Sequence, residues 1–373
     1  HLVRLADDES QLIMCAYHIV VDGSSWEIII RELSALYSAR VAGRPADLPR
    51  AASFAAYGAK ELHNRRSAEA QKAEHFWIEH LRGQTDDLDL PLDRARPAVR
   101  SFRATRSDQQ LSAAVSERLR ASAARASCTA QTFLLGAFQL LLYRLTRQTD
   151  LIVGIPTSGQ AAAGFESLVG HCVHVLPLRT LFDPDKRVAQ HLRELHRTML
   201  DGLDHQQATF SELLHKLKRP RDPSRPALIQ VAFGMGRSQR RPTFTDLDTS
   251  VYVVPRISET FELYVYATDV AGALEVSWSY STDLFSEATI GVWQRCFATI
   301  IEELIAATDA RTLAECQIVA PQDRERLLEL AWGPQVAHEP HVPVHRTIAQ
   351  HAATQPDKPA LRDQLGDHSY QAL

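Results

Sequence analysis

Tyr17-His18-Ile19-Val20-Val21-Asp22-Gly23 is the stretch of this sequence best equipped for chemistry. An imidazole near neutral pH can take a proton from an amine or a hydroxyl. A carboxylate, Asp22, follows His18 within one short turn of chain, and Gly23 lets the backbone there pass close to a ligand. On these residues alone a plainer alternative stands beside the chemical one: a core histidine satisfied by backbone, followed by an ordinary Asp-Gly turn.

The elements that must position this stretch can be read around it. Leu12 to Val21 is short, apolar and β-branched at its end, which predicts a buried strand broken at Asp22-Gly23. Alternation on such a strand puts His18 with Ala16, Met14 and Leu12, and Tyr17 with Cys15 and Ile13 on the other face. Ser24 and Glu27 have capping-box spacing, so a helix should begin there, with Trp26, Ile29, Ile30 and Leu33 on its apolar side. Ser53 to Leu81 reads as mostly helical, and the segment holding Pro91 and Pro97 as a connector. A strand near Ser101 leads to helices over 112–126 and 130–145. Strands are expected over 151–155, 173–178, 228–233, 261–267 and 274–280, and helices over 188–203 and 287–307. Residues 334–344 carry several Pro and His and read as linker, ahead of a helix from His345 to Ala353. The mixture predicts an α/β domain built in two lobes.

Composition removes several functional classes. The 373 residues are 45% hydrophobic, enough for sizeable cores, and carry 41 basic against 45 acidic side chains. A formal charge of −4 offers no basic excess for a phosphate backbone, so no nucleic-acid partner is expected. Apolar runs stay short of the roughly 18 to 20 residues that span a bilayer, and no signal peptide opens the chain. The cysteines, Cys15, Cys128, Cys172, Cys296 and Cys316, form no CxxC pair and are odd in number, which argues against zinc and against a disulfide framework. Cys15 and Cys172 sit in apolar runs and read as small core residues. Such cysteine usage suits a cytoplasmic location.

The Tyr17–Gly23 stretch resembles the HHxxxDG signature of the condensation-domain superfamily of nonribosomal peptide synthetases, which shares the chloramphenicol-acetyltransferase-like fold; Tyr17 stands at the first His. Further blocks resemble the family in order. They are Ser53 to Tyr57; Leu88 to Pro97; Val169 to Arg179, similar to GxFVNTLPLR with His174 at the Asn; His205 to Phe210; Arg221 to Leu228; and Tyr280 to Phe285, similar to YNTDLF. Residues 344–359 and the final Ser369 to Leu373 resemble the opening of an adenylation domain.

The resemblance implies a two-lobed α/β fold with an incomplete first lobe, because only the residues ahead of Tyr17 precede the motif. It implies four segments: 1–97 as the end of the first lobe, 98–320 as the second lobe, 321–344 as linker and 345–373 as the adenylation start. The implied reaction is attack of a carrier-bound aminoacyl amine on a carrier-bound acyl thioester. In the family the second His is the chemical residue, here His18, as general base or as a positioning group. Asp22 is implied to be structural, paired with Arg221 or Arg225, since a buried carboxylate needs a partner. Gly23 leaves room for a pantetheine arm, Tyr17 packs away from His18, and Ser24 and His174 line the tunnel. No cofactor or metal is expected on the chain itself. Phosphopantetheine arrives on upstream donor and downstream acceptor carriers, with an adenylation domain in cis, in a monomeric module of a larger synthetase. The Gly170–Val173 block and Thr157 to Gln160 resemble condensation domains at polyketide–peptide junctions. Alternatives are a noncatalytic docking module, suggested by Tyr17 and His174, an epimerization domain, suggested by Ser24-Ser25-Trp26, and a free-standing acyltransferase acting on coenzyme A.

Overall fold

The computed structural model describes residues 1–83, 87–219, 221–237, 243–254, 256–332 and 342–373. The chain divides into two units, His1–Ala320 and Pro321–Leu373. The first unit opens with a hairpin of β1 (Leu2–Arg4) and β2 (Ser10–Leu12), then α1 (Gly23–Val41), α2 (Phe54–Asn64), α3 (Ala68–His80), β3 (Ala104–Leu111), α4 (Ala113–Arg125) and α5 (Ala130–Thr146). It continues with β4 (Asp150–Ser158), the short α6 (Gly159–Ala162), β5 (Val173–Leu181), α7 (Val188–Asp204), α8 (Phe210–Leu217), β6 (Val231–Arg237), β7 (Leu263–Val270), β8 (Ala273–Ser281) and α9 (Glu287–Ala306). The second unit holds α10 (Pro321–Trp332), α11 (Val344–Thr354) and an antiparallel hairpin of β9 (Pro359–Asp363) and β10 (Gly366–Ser369).

Helix starts follow the sequence chemistry. Ser53, Ser67, Ser112, Thr129, Thr209 and Ser286 each accept a backbone N–H from three residues on, satisfying an otherwise orphaned donor. The Ser67 cap also explains why Ser53 to Leu81 is two helices: α2 ends at Asn64 and α3 starts afresh.

Six strands form one sheet in the order β3-β8-β7-β6-β4-β5. The β4–β6 and β6–β7 pairs are parallel and the rest antiparallel. Alternation sends Leu151, Val153, Val231, Phe233, Val265 and Trp278 into the main core, where α4, α5, α7 and α9 pack. α5 is buried through nearly its whole length, from Thr132 to Leu142, so it is the central helix of that layer. Each fully buried Phe or Leu contributes about 1.5–3 kcal/mol by area. On the opposite face Ile152 and Ile229 meet Phe210, Leu214 and Leu217 of α8. There too the rings of Tyr264 and Tyr266 lie over Gly234 and Gly236. A Cβ at Gly234 would sit 2.7 Å from the Tyr266 ring, so the missing side chain is what admits the tyrosine.

Several expectations need correction. Residues 13–22 form no strand and are exposed up to Val20, including Cys15. Among the described residues β2 pairs only with β1, and an apolar run without a ladder partner gains no sheet hydrogen bonds. The α1 cap is Asp22, not Ser24, because the Asp22 carboxylate takes the Ser25 N–H and leaves the Ser24–Glu27 box no role. Trp77, Leu88 and Leu90, ahead of the boundary expected at residue 97, belong to the same core as α5 and the sheet. The segment expected as linker from 321 contains α10, with Pro321 in its first turn and Asp323 near its positive end. The Pro- and His-rich residues 334–341 lie outside the described residues.

Candidate functional site

The N-terminus of α1 and the approach to β5 are stitched together around Asp22. Asp22 is 2% exposed. Its Oδ1 accepts the Ser25 N–H at 2.9 Å, and its Oδ2 accepts the Cys172 N–H at 3.0 Å. The fully buried Ser25 hydroxyl lies 2.8 Å from both Asp22 Oδ1 and Gly170 O, and it accepts the Gly170 N–H at 2.9 Å. One carboxylate and one hydroxyl thus satisfy three backbone donors and fix segment 170–172 against the start of α1.

Phe54 and Tyr57 of α2 close the lower side. Their rings stack with centroids 6.1 Å apart. The Phe54 ring lies where a Gly170 side chain would be, 2.3 Å from an ideal Cβ. Burial pushes the Tyr57 hydroxyl above its ordinary pKa, and it pushes the Cys172 thiol up to about 11. Cys172 is therefore a thiol near neutral pH and not a nucleophile.

His18 sits on an exposed turn over His18–Val20, tied by the Val20 N–H to Tyr17 O at 3.0 Å. Its ring meets that of His171 edge to face, with centroids 5.0 Å apart and planes at 86°. His171 is held below the ordinary imidazole pKa, chiefly by desolvation and then by the charge of His18, with Asp22 opposing. A Cβ on Gly23 would have nothing within 4 Å, so the approach past the α1 terminus is open.

The structure brings together His18, Asp22, Gly23 and, on β5, His174. It does not bring the arginines. Arg225 bonds to Asp89 Oδ1 at 3.1 Å and to Leu88 O, and Arg221 is exposed. Asp22 needs neither, because N–H and O–H donors already occupy both its oxygens. Tyr17 is 86% exposed. The strand alternation used to orient it fails, since its neighbours form a turn. Ser24 is half-buried at the start of α1. The half-buried His174 Nε2 lies 3.8 Å from Glu61 Oε2 of α2. Sequence reasoning missed Ser25, Gly170 and His171 as site residues. Ser25 carries one local signal, its place three residues after Asp22, which is that of an amide capped by an aspartate. The other two are brought in by contacts 145 or more residues apart in sequence, which no local pattern reports.

Residues 1–328 match the family model described as Condensation domain. The chain belongs to the condensation-domain family. It is 32% identical over 330 residues to surfactin synthase subunit 2 of Bacillus subtilis (strain 168), covering 88% of this chain and 9% of that protein. It is 28% identical over 365 residues to tyrocidine synthase 3 of Brevibacillus parabrevis, covering 96% of this chain and 6% of that protein. The chain thus spans less than a tenth of the length of either relative. Among solved structures, a holo four-domain nonribosomal peptide synthetase bound to AMP and glycine superposes with a TM-score of 0.83 at 20% identity, covering 95% of this chain and 28% of that one. The X-domain from teicoplanin biosynthesis, in complex with OxyB, superposes with a TM-score of 0.70 at 25% identity, covering 82% of this chain and 69% of that one. The fold is the mixed α/β, chloramphenicol-acetyltransferase-like one that the motifs implied, with the mixed sheet at its centre.

Within that fold the Asp22–Ser25–Gly170–Cys172 hydrogen bonds join the start of α1 to segment 170–172, whose His171 packs against the exposed His18. An imidazole so placed can orient an amine or relay a proton.

Proposed function

We propose that this chain is the amide-forming stretch of a nonribosomal peptide synthetase. The amine of a carrier-bound aminoacyl group attacks the carbonyl of a carrier-bound acyl thioester. The new C–N bond replaces the C–S bond, the amine loses a proton and the pantetheine sulfur leaves as a thiol. His18 is the residue that meets the amine, as base or as positioning group. A thioester is already activated, so orientation of the amine supplies much of the rate. The observation that carries this reading is the lock around Asp22, which fixes the α1 terminus against segment 170–172, where the exposed His18 packs on the ring of His171.

Phosphopantetheine belongs to the carriers, so in this reading it enters as part of the substrates. Residues 345–373 are read as the opening of an adenylation domain, which loads the acceptor carrier in cis. A polyketide acyl donor is the finer version, resting on the Gly170–Val173 and Thr157–Gln160 blocks.

A second reading has its own observation. The exposed Tyr17 occupies the first position of the motif, and the teicoplanin X-domain of similar fold is found in complex with OxyB. A noncatalytic module that docks a partner protein would share this architecture. The two separate on incubation of the parent synthetase with donor- and acceptor-loaded carriers, followed by intact-protein mass spectrometry. Amide formation on the acceptor carrier supports condensation. Carrier binding without product across several acyl donors supports docking.

A further inference from the structure

His171 sits between two anchored neighbours. Gly170 is held through both its N–H and its carbonyl by Ser25, and the Cys172 N–H is held by Asp22. The intervening residue therefore has little backbone freedom, while its side chain reaches outward. His18 is the opposite case, since it lies on an exposed turn that is closed by Val20 N–H to Tyr17 O and tied to the His171 ring through the His18 backbone. The two rings meet edge to face at 5.0 Å. That geometry places the positive rim of one ring against the electron-rich face of the other, an attractive arrangement.

We propose that His171 is a positioning residue that fixes the orientation of the His18 imidazole. The rigid member of the pair imposes its geometry on the mobile one. Without His171, the His18 side chain has no aromatic contact among the described residues and samples several rotamers, each shifting the ring nitrogens by more than a hydrogen-bond length. The charged groups that face His171 are His18, Asp22 and His174. The bond from the His171 ring to the His18 backbone and the Asp22 charge favour protonated His171, but desolvation outweighs them, so its neutral form is favoured near pH 7. The proposal rests on the amide-forming reading for its consequence in turnover, but the ring contact itself does not.

The test has two arms. In the first, the chain is labelled with ring-13C histidine and compared with His171→Ala and His171→Phe by NMR. The expected result is a ring-current displacement of the His18 resonances that disappears in His171→Ala and persists in His171→Phe. His18 resonances that coincide in all three forms overturn the proposal, whatever the enzyme does. In the second arm the same changes are made in the parent synthetase, and single-turnover condensation is measured. The expected result is a loss of about tenfold in the chemical rate for His171→Ala, with carrier KM unchanged and rescue by His171→Phe. An unchanged rate in an active synthetase overturns the positioning role. If the natural synthetase forms no amide while the NMR displacement is present, the condensation reading falls and the ring alignment stands.

Discussion

Replacing Asp22 tests the lock, and the structure gives a graded expectation. Asp22→Asn keeps the size and shape of the side chain but turns one acceptor oxygen into an NH2 group. Its two backbone partners, the Ser25 and Cys172 amides, are both donors and bond different oxygens, so the amide side chain can accept from only one of them. The Ser25 bond is the helix cap and is retained, because Asn caps as well as Asp. The Cys172 N–H then faces another donor in a site 3% exposed, at a cost of about 1–3 kcal/mol for a buried unmet group. Asp22→Ala loses the cap as well, about 1 kcal/mol more. Hydrogen exchange read by mass spectrometry resolves these local costs where a global melt would dilute them. The Cys172 amide should exchange about 5- to 150-fold faster in Asp22→Asn, with Ser25 little changed. In Asp22→Ala both should speed up. Protection at Cys172 that is the same in the natural form and in Asp22→Asn would mean that the carboxylate does not hold this amide.

Two further outcomes follow from buried groups away from the site. His191, 3% exposed on α7, has its pKa pushed down to about 4 by burial and by Lys186. The unfolded chain titrates near 6.5, so between those values it binds the proton that the folded chain refuses, and stability falls as pH drops through that window. The gap corresponds to about 3 kcal/mol at most, lost between pH 6.5 and 4, and the difference between natural and His191→Gln denaturation curves over that range should show it. Glu262, 2% exposed at its side chain, holds Arg96 through bonds of 2.6 and 3.1 Å. Glu262→Gln leaves that guanidinium short of its counter-charge and should destabilise by about 3–5 kcal/mol in urea titrations.

The second half of the first unit was legible because its patterns are local and redundant. α4 and α5 have polar caps ahead of apolar faces, and β4, β5, β7 and β8 are runs bounded by turn residues. Each of these lies within a residue or three of its expected bounds. The first twenty residues misled for a physical reason. Apolarity and β-branching state that a run suits a sheet, but only a neighbouring strand makes it one, and residues 14–20 have none among the described residues. The chemistry of the site was legible in part. His18 and Asp22 stand out by type and spacing, while the arginine partner for Asp22 came with the family resemblance, and the structure puts N–H and O–H donors on both carboxylate oxygens instead. A carboxylate at a helix start needs no cation when amides are aimed at it. His171 was hidden inside a block quoted for its other residues. Its meaning comes from His18, which touches it in space but lies far from it in sequence.

The proposed chemistry turns on His18 being the residue that meets the amine. Single-turnover condensation by the parent synthetase with both carriers loaded addresses this directly, comparing the natural form with His18→Ala and weighing the acceptor carrier over time. A condensed acceptor is expected, and its formation should slow by at least about a hundredfold in His18→Ala, in the range that one acid–base or positioning group supplies, with carrier binding intact. Equal rates in the two forms would remove His18 from the chemistry.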